Sequence, residues 1–324
     1  MEQDNYEEIR NAKYTENDPI LVSVAMIAYN VGLYLTEAIE SVLSQKINFK
    51  IELVIGEDCS TDNTRELALK YQKKYPEIII VLLPERNQGL TLNSVVTQNA
   101  CRGKYIALLD GDDFWTENYK LQKQIDFLEN HDTFSACAHQ SYKIYGENFI
   151  EKSLFGENVN KVYGLLDTIR HRKFHTSSLV YRKAIWDKVG DIPTNISSNE
   201  RAIYPMLAIF GNIMYFKDAM CVYRLSPTGL NSRITAKELE TDLNMIPFLK
   251  RIDRTFPFYN FRSFLHLCIF TYPKKVPFKL LLKHYFFFLF FSFSYFPKNI
   301  GDIKYATKEA INKIKQLFKH KNEE

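Results

Sequence analysis

The first 110 residues alternate short apolar runs with segments in which apolar residues recur at helical spacing. The apolar runs, which predict buried parallel strands, are 21–28, 51–56, 78–83 and 104–110. Between them the spacing predicts helices at 33–45 and 63–75, and a third helix of about ten residues after the loop 87–90. Four strand–helix units in series predict an α/β fold: an open, mostly parallel sheet with helices on both faces.

The pattern changes after residue 115. The spacing predicts helices at 116–130 and 201–211 and strands at 177–182 and 213–216. Residues 1–19 predict a polar lead-in, and 302–321 predict a lysine-rich amphipathic helix. The sheet therefore continues into a mixed region, and a helical appendage follows it.

Polar side chains follow each of the four predicted parallel strands. They are Tyr29, Asp58, Asn87 and Asp110. In open α/β sheets, ligands bind beyond the carboxyl ends of the strands, and these ends meet at one edge of the sheet. We therefore expect these four residues to line one cleft.

The strongest chemical feature is the sequence L-L-D-G-D-D at 108–113, which ends the fourth strand. Asp110, Asp112 and Asp113 repel one another unless a cation or hydrogen bonds compensate their charges. Carboxylate oxygens at a strand end suit Mg²⁺ or Mn²⁺ bridged to phosphate oxygens. The alternative is an acidic surface turn, which the buried strand before it disfavours.

The second feature is G-E-D-C-S-T-D at 56–62. Carboxylates directly after a buried strand can accept hydrogen bonds from a base imide or from ribose, and Tyr29 could stack on a base. The alternatives are that Ser60 or Asp62 caps the following helix and that Tyr29 packs on the protein.

The motifs V-S-V-A-M-I-A-Y-N, E-D-C-S-T-D-N-T, N-Q-G-L and G-K-Y-I-A-L-L-D-G-D-D occur in this order between 22 and 113. This set resembles the inverting family-two glycosyltransferases, which have the GT-A fold, and the likeness continues more loosely to Ser232. The family commonly has two aspartates and then glycine at the second motif. Here these positions hold Glu57, Asp58 and Cys59.

The resemblance implies a site for a nucleoside diphosphate sugar, most often uridine-linked. The residues it places near the nucleotide are Tyr29, Glu57, Asp58, Arg86, Asn87, Asp110 and Arg224. Asp112, with Asp110, would bind Mg²⁺ or Mn²⁺, and Asp113 would support the turn. Many relatives have a histidine two residues after the arginine, where this chain has Ser226.

Inverting transfer needs a general base on the acceptor hydroxyl. In this family the base is an acid at the start of a late helix, which the resemblance matches to Glu200. Asp191 is the rival candidate. The alternative for Glu200 is a first-turn carboxylate that the helix dipole favours. His175 has two interpretations, a substrate contact and a hydrogen-bonded structural histidine.

The resemblance divides the chain into a catalytic domain at 20–232 and a C-terminal region at 233–324. Within the domain, 20–115 would bind the nucleotide and 116–232 the acceptor. The implied function is transfer to a glycan or lipid-linked acceptor in cell-surface polysaccharide or glycoconjugate synthesis; the alternative is a non-catalytic scaffold. A nucleotidyltransferase or a dehydrogenase would need a glycine-rich loop after the first strand, where this chain has A-Y-N-V-G-L.

Charge separates the tail from the rest of the chain. From Phe261 onward there are 12 Lys and Arg against 4 Asp and Glu, a net charge of +8, whereas the rest carries −4. A mildly acidic body argues against nucleic-acid binding. The aromatic run Tyr285–Phe296 has 12 uncharged residues, fewer than the roughly 20 that span a bilayer. Lysines beside it favour the surface of an anionic membrane.

The alternative for the tail is packing on the catalytic domain or on a second subunit, which would give a homodimer. The acidic N-terminal sequence M-E-Q-D-N-Y-E-E does not have the pattern of a signal peptide. Five scattered cysteines without a C-x-x-C pair favour a reducing compartment. We therefore expect a cytoplasmic protein that is peripheral at the inner face of the membrane.

Overall fold

A computed structural model describes residues 6–9, 19–145, 151–225, 233–295 and 300–321. The chain divides into two compact units. The first, here called the sheet unit, contains Met1–Thr168, Arg172–Thr194 and Leu207–Leu225; the second, here called the helical unit, contains Ile169–His171, Asn195–Met206 and Ser226–Glu324. The predicted functional division at residue 232 stays a prediction.

The described part of the sheet unit is built on one eleven-stranded mixed sheet. Its strands, in chain order, are β1 Tyr6–Ile9, β2 Val22–Ala28, β3 Ile51–Glu57, β4 Ile79–Pro84, β5 Tyr105–Asp110, β6 Phe114–Trp115, β7 Phe134–Tyr145, β8 Glu151–Leu154, β9 Lys161–Tyr163, β10 Val180–Arg182 and β11 Asn212–Leu225. The order along the sheet is β1-β4-β3-β2-β5-β10-β7-β11-β6, with β8 paired to β7 and β9 to β11.

The four predicted strands form the parallel centre of this sheet, in the order β4-β3-β2-β5. Each begins and ends within one residue of its predicted bounds, because continuous apolar runs mark strands that are covered on both faces. β10 then pairs antiparallel with both β5 and β7. The prediction of an open, mostly parallel α/β sheet is confirmed for this centre.

Residues 6–9, within the predicted polar lead-in, form the edge strand β1, which pairs antiparallel with β4. Helices connect most of the other strands. They are α1 Leu35–Leu43, α2 Thr64–Lys74, α3 Leu90–Asn99, α4 Lys120–Glu129, α5 Leu165–Thr168, α6 Lys183–Val189 and α7 Glu200–Phe210. Helix α7 begins in the helical unit and ends in the sheet unit.

The rest of the helical unit is built from helices. They are α8 Ala236–Glu240, α9 Met245–Ile252, α10 Phe258–Thr271, α11 Phe278–Ser292 and α12 Ile300–Lys321. Its own core is aliphatic and aromatic, with Phe270, Leu281 and Phe288 fully buried and Ala306 of α12 packed among them. Within the part of the chain that the structure describes, none of the helices combines the length and the apolar character that a membrane span requires.

Candidate active site

The loops after β2 and β3 are joined by polar side chains. The Asn30 N–H donates to Ser60 Oγ at 3.0 Å, the Thr61 N–H donates to Asn30 Oδ1 at 2.8 Å, and the Gly32 N–H donates to Asp62 Oδ2 at 3.0 Å. Asn30 has φ +52°, a left-handed conformation that asparagine tolerates. The two loops therefore form one rigid rim.

This network tests the capping interpretation of the second motif. Asp62 Oδ1 accepts the N–H of Thr64, the first residue of α2, at 2.9 Å, so Asp62 does support the helix start. Ser60 instead binds the Asn30 backbone. Tyr29, at the same rim, keeps 48% of its surface exposed, so its ring has an open face for stacking.

The carboxylate of Glu57 binds residues that follow it closely in the chain. Its Oε2 lies 2.5 Å from Arg65 Nε and its Oε1 accepts the Ser60 N–H at 2.7 Å, while the side chain is fully buried. A buried carboxylate paired in this way holds the loop in shape. Its predicted contact with the nucleotide stays a prediction.

Asp58 joins the end of β3 to the loop after β4. Its two carboxylate oxygens accept the N–H groups of Gln88, at 2.7 Å, and Gly89, at 2.9 Å, and Asn87 Nδ2 donates to its carbonyl at 3.0 Å. Burial raises the pKa of Asp58, and the two backbone hydrogen bonds oppose that rise. A carboxylate has about four lone-pair sites, so these two N–H groups leave some of them unused, and the predicted contact of Asp58 with a base stays a prediction. Arg86 and Asn87 are exposed on this loop.

The acidic turn crosses the end of β2. The Gly111 N–H donates to the Ile27 carbonyl at 2.9 Å, and the Asp113 N–H closes the turn on the Asp110 carbonyl at 3.0 Å. A Cβ at position 111 would lie 2.9 Å from the Ile27 oxygen, which is too close for any side chain. The glycine between the aspartates thus lets the turn approach the neighbouring strand.

Asp113 is the buried member of the turn. Its carboxylate accepts Ser177 Oγ at 2.6 Å and the Arg224 N–H at 3.0 Å. Burial raises its pKa well above the ordinary value, and the charges of Asp112 and Asp110 raise it further. These contacts hold the Asp113 side chain in place, and its predicted supporting role stays a prediction.

His175 faces this buried carboxylate. Its Nδ1 lies 3.4 Å from Asp113 Oδ2 and accepts the Ser177 N–H at 3.3 Å. Burial holds the pKa of His175 well below its ordinary value, and the positive charge of Arg172 adds to this effect. The ring is therefore neutral, with a lone pair on the nitrogen that faces Asp113.

Asp110, Asp113 and His175 together make a donor set that fits a divalent cation. One ligand atom from each lies within 4.8 Å of the others. Two carboxylates and an imidazole lone pair repel one another, and a cation between them would relieve that repulsion. The set shares Asp110 with the predicted pair of Asp110 and Asp112. Sequence reasoning missed His175 as a ligand because the antiparallel pairing of β10 with β5 brings it to the turn.

The Arg224 side chain contacts the backbone of Asp112. Its Nη1 donates to the Asp112 carbonyl at 2.6 Å and its Nη2 pairs with Glu37. Its guanidinium carbon lies 4.7 Å from the ring centroids of both Tyr34 and Phe114. Burial raises the pKa of Asp112, and the nearby Arg224 opposes the rise. Arg224 thus fixes the turn, and its predicted approach to the diphosphate stays a prediction.

A buried lysine, Lys120, packs against Trp115 and carried no signal in the sequence. Its Nζ lies 3.9 Å from the Trp115 ring centroid and has no hydrogen-bond partner among the described residues. Burial lowers its pKa to about 7. Trp115 donates through Nε1 to the Ser177 carbonyl at 2.9 Å, which links this cation–π pair to the acidic site.

The model of one protein family, Glycosyl transferase family 2, matches residues 23–190, more than half of the chain. The chain belongs to glycosyl transferase family 2. The matched segment contains the rim loops, Asp58, the acidic turn and His175. The predicted family membership is confirmed.

Relatives of this family-2 glycosyltransferase include an uncharacterised protein of Mycobacterium tuberculosis, 32% identical over 210 residues, which are 64% of this chain and 60% of the relative. TuaG of Bacillus subtilis, named as a teichuronic acid biosynthesis glycosyltransferase, is 38% identical over 108 residues, 33% of this chain and 42% of TuaG. The chain therefore spans less than two thirds of the length of these relatives.

The fold of the family-2 chain is also that of a solved structure. The Staphylococcus aureus protein TarS, residues 1–349 in complex with UDP-GlcNAc, matches with a TM-score of 0.63 and 18% identity, over 91% of this chain and 89% of the TarS chain. The predicted GT-A fold is confirmed.

The two candidate general bases belong to different units. Asp191 is exposed in the sheet unit, where its φ is +37°. Glu200 is the first residue of α7 and belongs to the helical unit. Both assignments stay predictions. Ser226, at the position where many relatives have a histidine, lies outside the described residues.

Proposed function

We propose that this glycosyltransferase moves a sugar, with inversion, from a UDP-linked donor to a hydroxyl of a glycan or lipid-linked acceptor in cell-surface polysaccharide or glycoconjugate synthesis. The observation that carries the proposal is the edge of the sheet where Tyr29, Asp58 and the acidic turn follow three adjacent parallel strands. The UDP-GlcNAc complex of TarS and the teichuronic acid assignment of TuaG support it by analogy.

The donor would bind along this edge. The open face of Tyr29 is available to the base, and Asp58 retains lone pairs for a base or ribose donor. The acidic turn, which follows the adjacent strand β5, would be at the diphosphate end. The loop contacts of Glu57 and Ser60 keep these groups in fixed positions, which lowers the ordering cost of binding.

Two donor sets compete for Mg²⁺ or Mn²⁺: Asp110 with Asp112, as the family resemblance implies, and Asp110 with Asp113 and His175, as the ligand distances favour. A divalent ion bound at the turn would supply charge stabilisation to the departing diphosphate. Asp110 belongs to both sets. The chain's own contribution is to hold these oxygen and nitrogen ligands close together in a largely buried site.

The transfer itself exchanges two bonds at the anomeric carbon. The acceptor oxygen forms a bond to that carbon as the bond to the nucleoside diphosphate breaks, and the leaving group carries away the electron pair. A carboxylate accepts the proton of the acceptor hydroxyl. We assign this role to Glu200, with Asp191 as the alternative.

The test is nucleotide release from labelled UDP-sugars, with and without a chelator. We expect UDP release in the presence of Mn²⁺, and its loss on chelation and in Asp110→Asn. Nucleotide binding without any release, over a panel of UDP-sugars and acceptors, would support the alternative, a non-catalytic scaffold. Thermal shifts with UDP and Mn²⁺ would show whether the donor cleft binds at all.

We also propose that the protein works at the cytoplasmic surface of an anionic membrane. The support is the net charge of +8 from Phe261 onward together with exposed aromatic residues in the helical unit. If so, removing residues 261–324 should shift the protein from the membrane to the soluble fraction.

A further inference from the structure

One face of α11 exposes large aromatic residues. Phe286, Phe290 and Phe293, the last in the turn directly after the helix, are 64%, 67% and 75% exposed. Residues three and four apart lie on one helix face, and the same face continues backward to the exposed Lys283 and Lys279. We call these five residues the α11 stripe.

The opposite face of α11 is already packed. Leu281, His284, Phe288 and Phe291 are buried, and the first and third of these belong to the core of the helical unit. The stripe is therefore extra apolar surface on a helix whose core contacts are complete. Contiguous exposed apolar surface of this kind marks an interaction site.

The two ends of the stripe differ in chemical character, one being basic and the other aromatic. Its two lysines lie in the first half of the helix and its three phenylalanines in the second half and the turn that follows, and the stripe runs roughly 20 Å from Lys279 to Phe293 at 1.5 Å per residue. Lys274 and Lys275, just before the helix, are also exposed. Lys283 pairs with Glu240 at 2.7 Å, so the free positive charge lies mainly at the other three lysines.

The charge of the chain segment that contains the stripe is of one sign, and Glu240, the acid that pairs with Lys283, comes from outside that segment. The sequence has no Asp or Glu between residues 255 and 301, although six Lys and Arg occur there. A second copy of the chain would bring its own lysines to a segment without acids, beside which Glu240 is already paired with Lys283. An anionic lipid bilayer offers both an acyl boundary for the rings and headgroup charge for the lysines.

We infer that the α11 stripe is the surface by which this protein docks on an anionic bilayer, with α11 lying in the interface, its phenylalanine end deeper and its lysine end among the headgroups. This inference rests on the membrane location proposed above and does not depend on the transfer chemistry. The proposed location thereby has a defined protein face, a deeper phenylalanine end and a requirement for anionic lipid.

The experiment is sedimentation of the full-length chain with vesicles of phosphatidylcholine alone or mixed with phosphatidylglycerol. Three chains are compared with the wild type: Phe286→Ser/Phe290→Ser/Phe293→Ser, Lys274→Glu/Lys275→Glu/Lys279→Glu, and a control, Val159→Ser/Leu166→Ser, which removes exposed apolar residues from the sheet unit. We expect binding only to the anionic vesicles. The aromatic variant and the lysine variant should each lose on the order of 100-fold or more in affinity, with the control unchanged.

Depth is tested separately. Tryptophan at Phe290→Trp should be quenched strongly by brominated acyl chains, and tryptophan at Lys279→Trp weakly. Wild-type binding by the aromatic variant, or equal quenching at both positions, would overturn the inference. So would a concentration-dependent dimer without lipid that only the aromatic variant disrupts, because the stripe would then be a subunit interface.

Circular dichroism checks that each variant folds, and UDP release is measured on the same samples. Loss of vesicle binding with UDP release intact supports the stripe as a separate surface. Absence of UDP release in the wild type, with vesicle binding intact, would count against the proposed function and leave the docking surface standing.

Discussion

Two buried polar clusters, one in each unit, are satisfied in different ways. In the sheet unit, Asp58 and Asp113 are buried carboxylates that accept backbone N–H groups, Asp58 from the loop after β4 and Asp113 from Arg224 of β11. In the helical unit, the side chains bind one another: His266 Nδ1 and His284 Nδ1 are 2.8 Å apart, and His284 Nε2 lies 2.9 Å from Glu240. In the sheet unit, backbone N–H groups hold the two carboxylates beside the proposed ligand site. In the helical unit, packed side chains surround the histidine pair.

The histidine pair and the acidic turn also differ in how deeply they are buried. The His266 ring stacks on Phe287 and Phe291, with centroids 5.1 and 5.7 Å away, and burial lowers its pKa to about 3. The acidic turn, in contrast, contains Asp110, which is only partly buried. We therefore expect donor and metal binding to depend on the sheet unit, and the protonation of His266 to affect the stability of the helical unit, and the following predictions test that division.

The largest expected effect concerns Glu200, a candidate base that belongs to the helical unit and not to the sheet unit. If Glu200 is the general base, Glu200→Gln should lower turnover about 10³-fold while donor affinity is kept, because the amide cannot accept the hydroxyl proton. Transfer rates and UDP affinity by calorimetry would be measured together. Asp191→Asn is the matched control, and near-normal turnover in Glu200→Gln with loss in Asp191→Asn would reverse the assignment.

The second prediction separates the two metal sets of the sheet unit. If the distances select the ligands, His175→Gln should weaken Mn²⁺ binding by about 100-fold, whereas Asp112→Asn should change it little. Mn²⁺ titrations followed by electron paramagnetic resonance would give both affinities.

The reverse pattern would favour the pair of Asp110 and Asp112 that the sequence predicts. Because His175 is buried, the free energy of unfolding of each variant is needed as a control. A variant that binds UDP normally without metal but has lost Mn²⁺ binding has lost a ligand and not the fold.

The sequence and the structure agree where short-range patterns decide the outcome. The apolar runs locate β2 to β5, and the acidic residues after them follow directly, because a strand end is a local feature. The facing of His175 and Asp113 depends on β10 pairing with β5, some 70 positions away along the chain. The contact of Glu240 with His284 likewise joins residues 44 apart. Neither contact leaves a periodic signal in the sequence.

The third prediction concerns the helical unit. The folded pKa of His266, about 3, is below its ordinary value of 6.5, so between these values the unfolded chain binds more protons than the folded one. The contribution of His266 to stability should therefore be constant well above pH 6.5 and fall as the pH decreases, by about 1.5 kcal/mol between pH 6.5 and 5. The buried His139 and His175 of the sheet unit, whose pKa values burial also lowers, add to the same slope.

His266→Phe should flatten that slope, although it leaves His284 without its ring partner and so lowers the stability at pH 7. Urea unfolding followed by circular dichroism gives the slopes. Trp115 and Trp186 both belong to the sheet unit, so their fluorescence reports the unfolding of that unit beside the overall signal. An unchanged slope by circular dichroism would show that His266 does not titrate as its burial implies.

The smallest expected effect concerns Cys59 at the rim of the sheet unit, where a residue with a side chain has a backbone conformation that favours glycine. Cys59 has φ +57°, a left-handed conformation that costs a residue with a Cβ about 1–2 kcal/mol. The family commonly has glycine here. Cys59→Gly should raise the free energy of unfolding by about 1 kcal/mol, since the relief of strain exceeds the added entropy of the unfolded chain. Cys59→Ala keeps the Cβ and removes the thiol, so it should gain nothing. If both variants gained equally, the thiol and not the backbone would be the source, and the rim would not be strained.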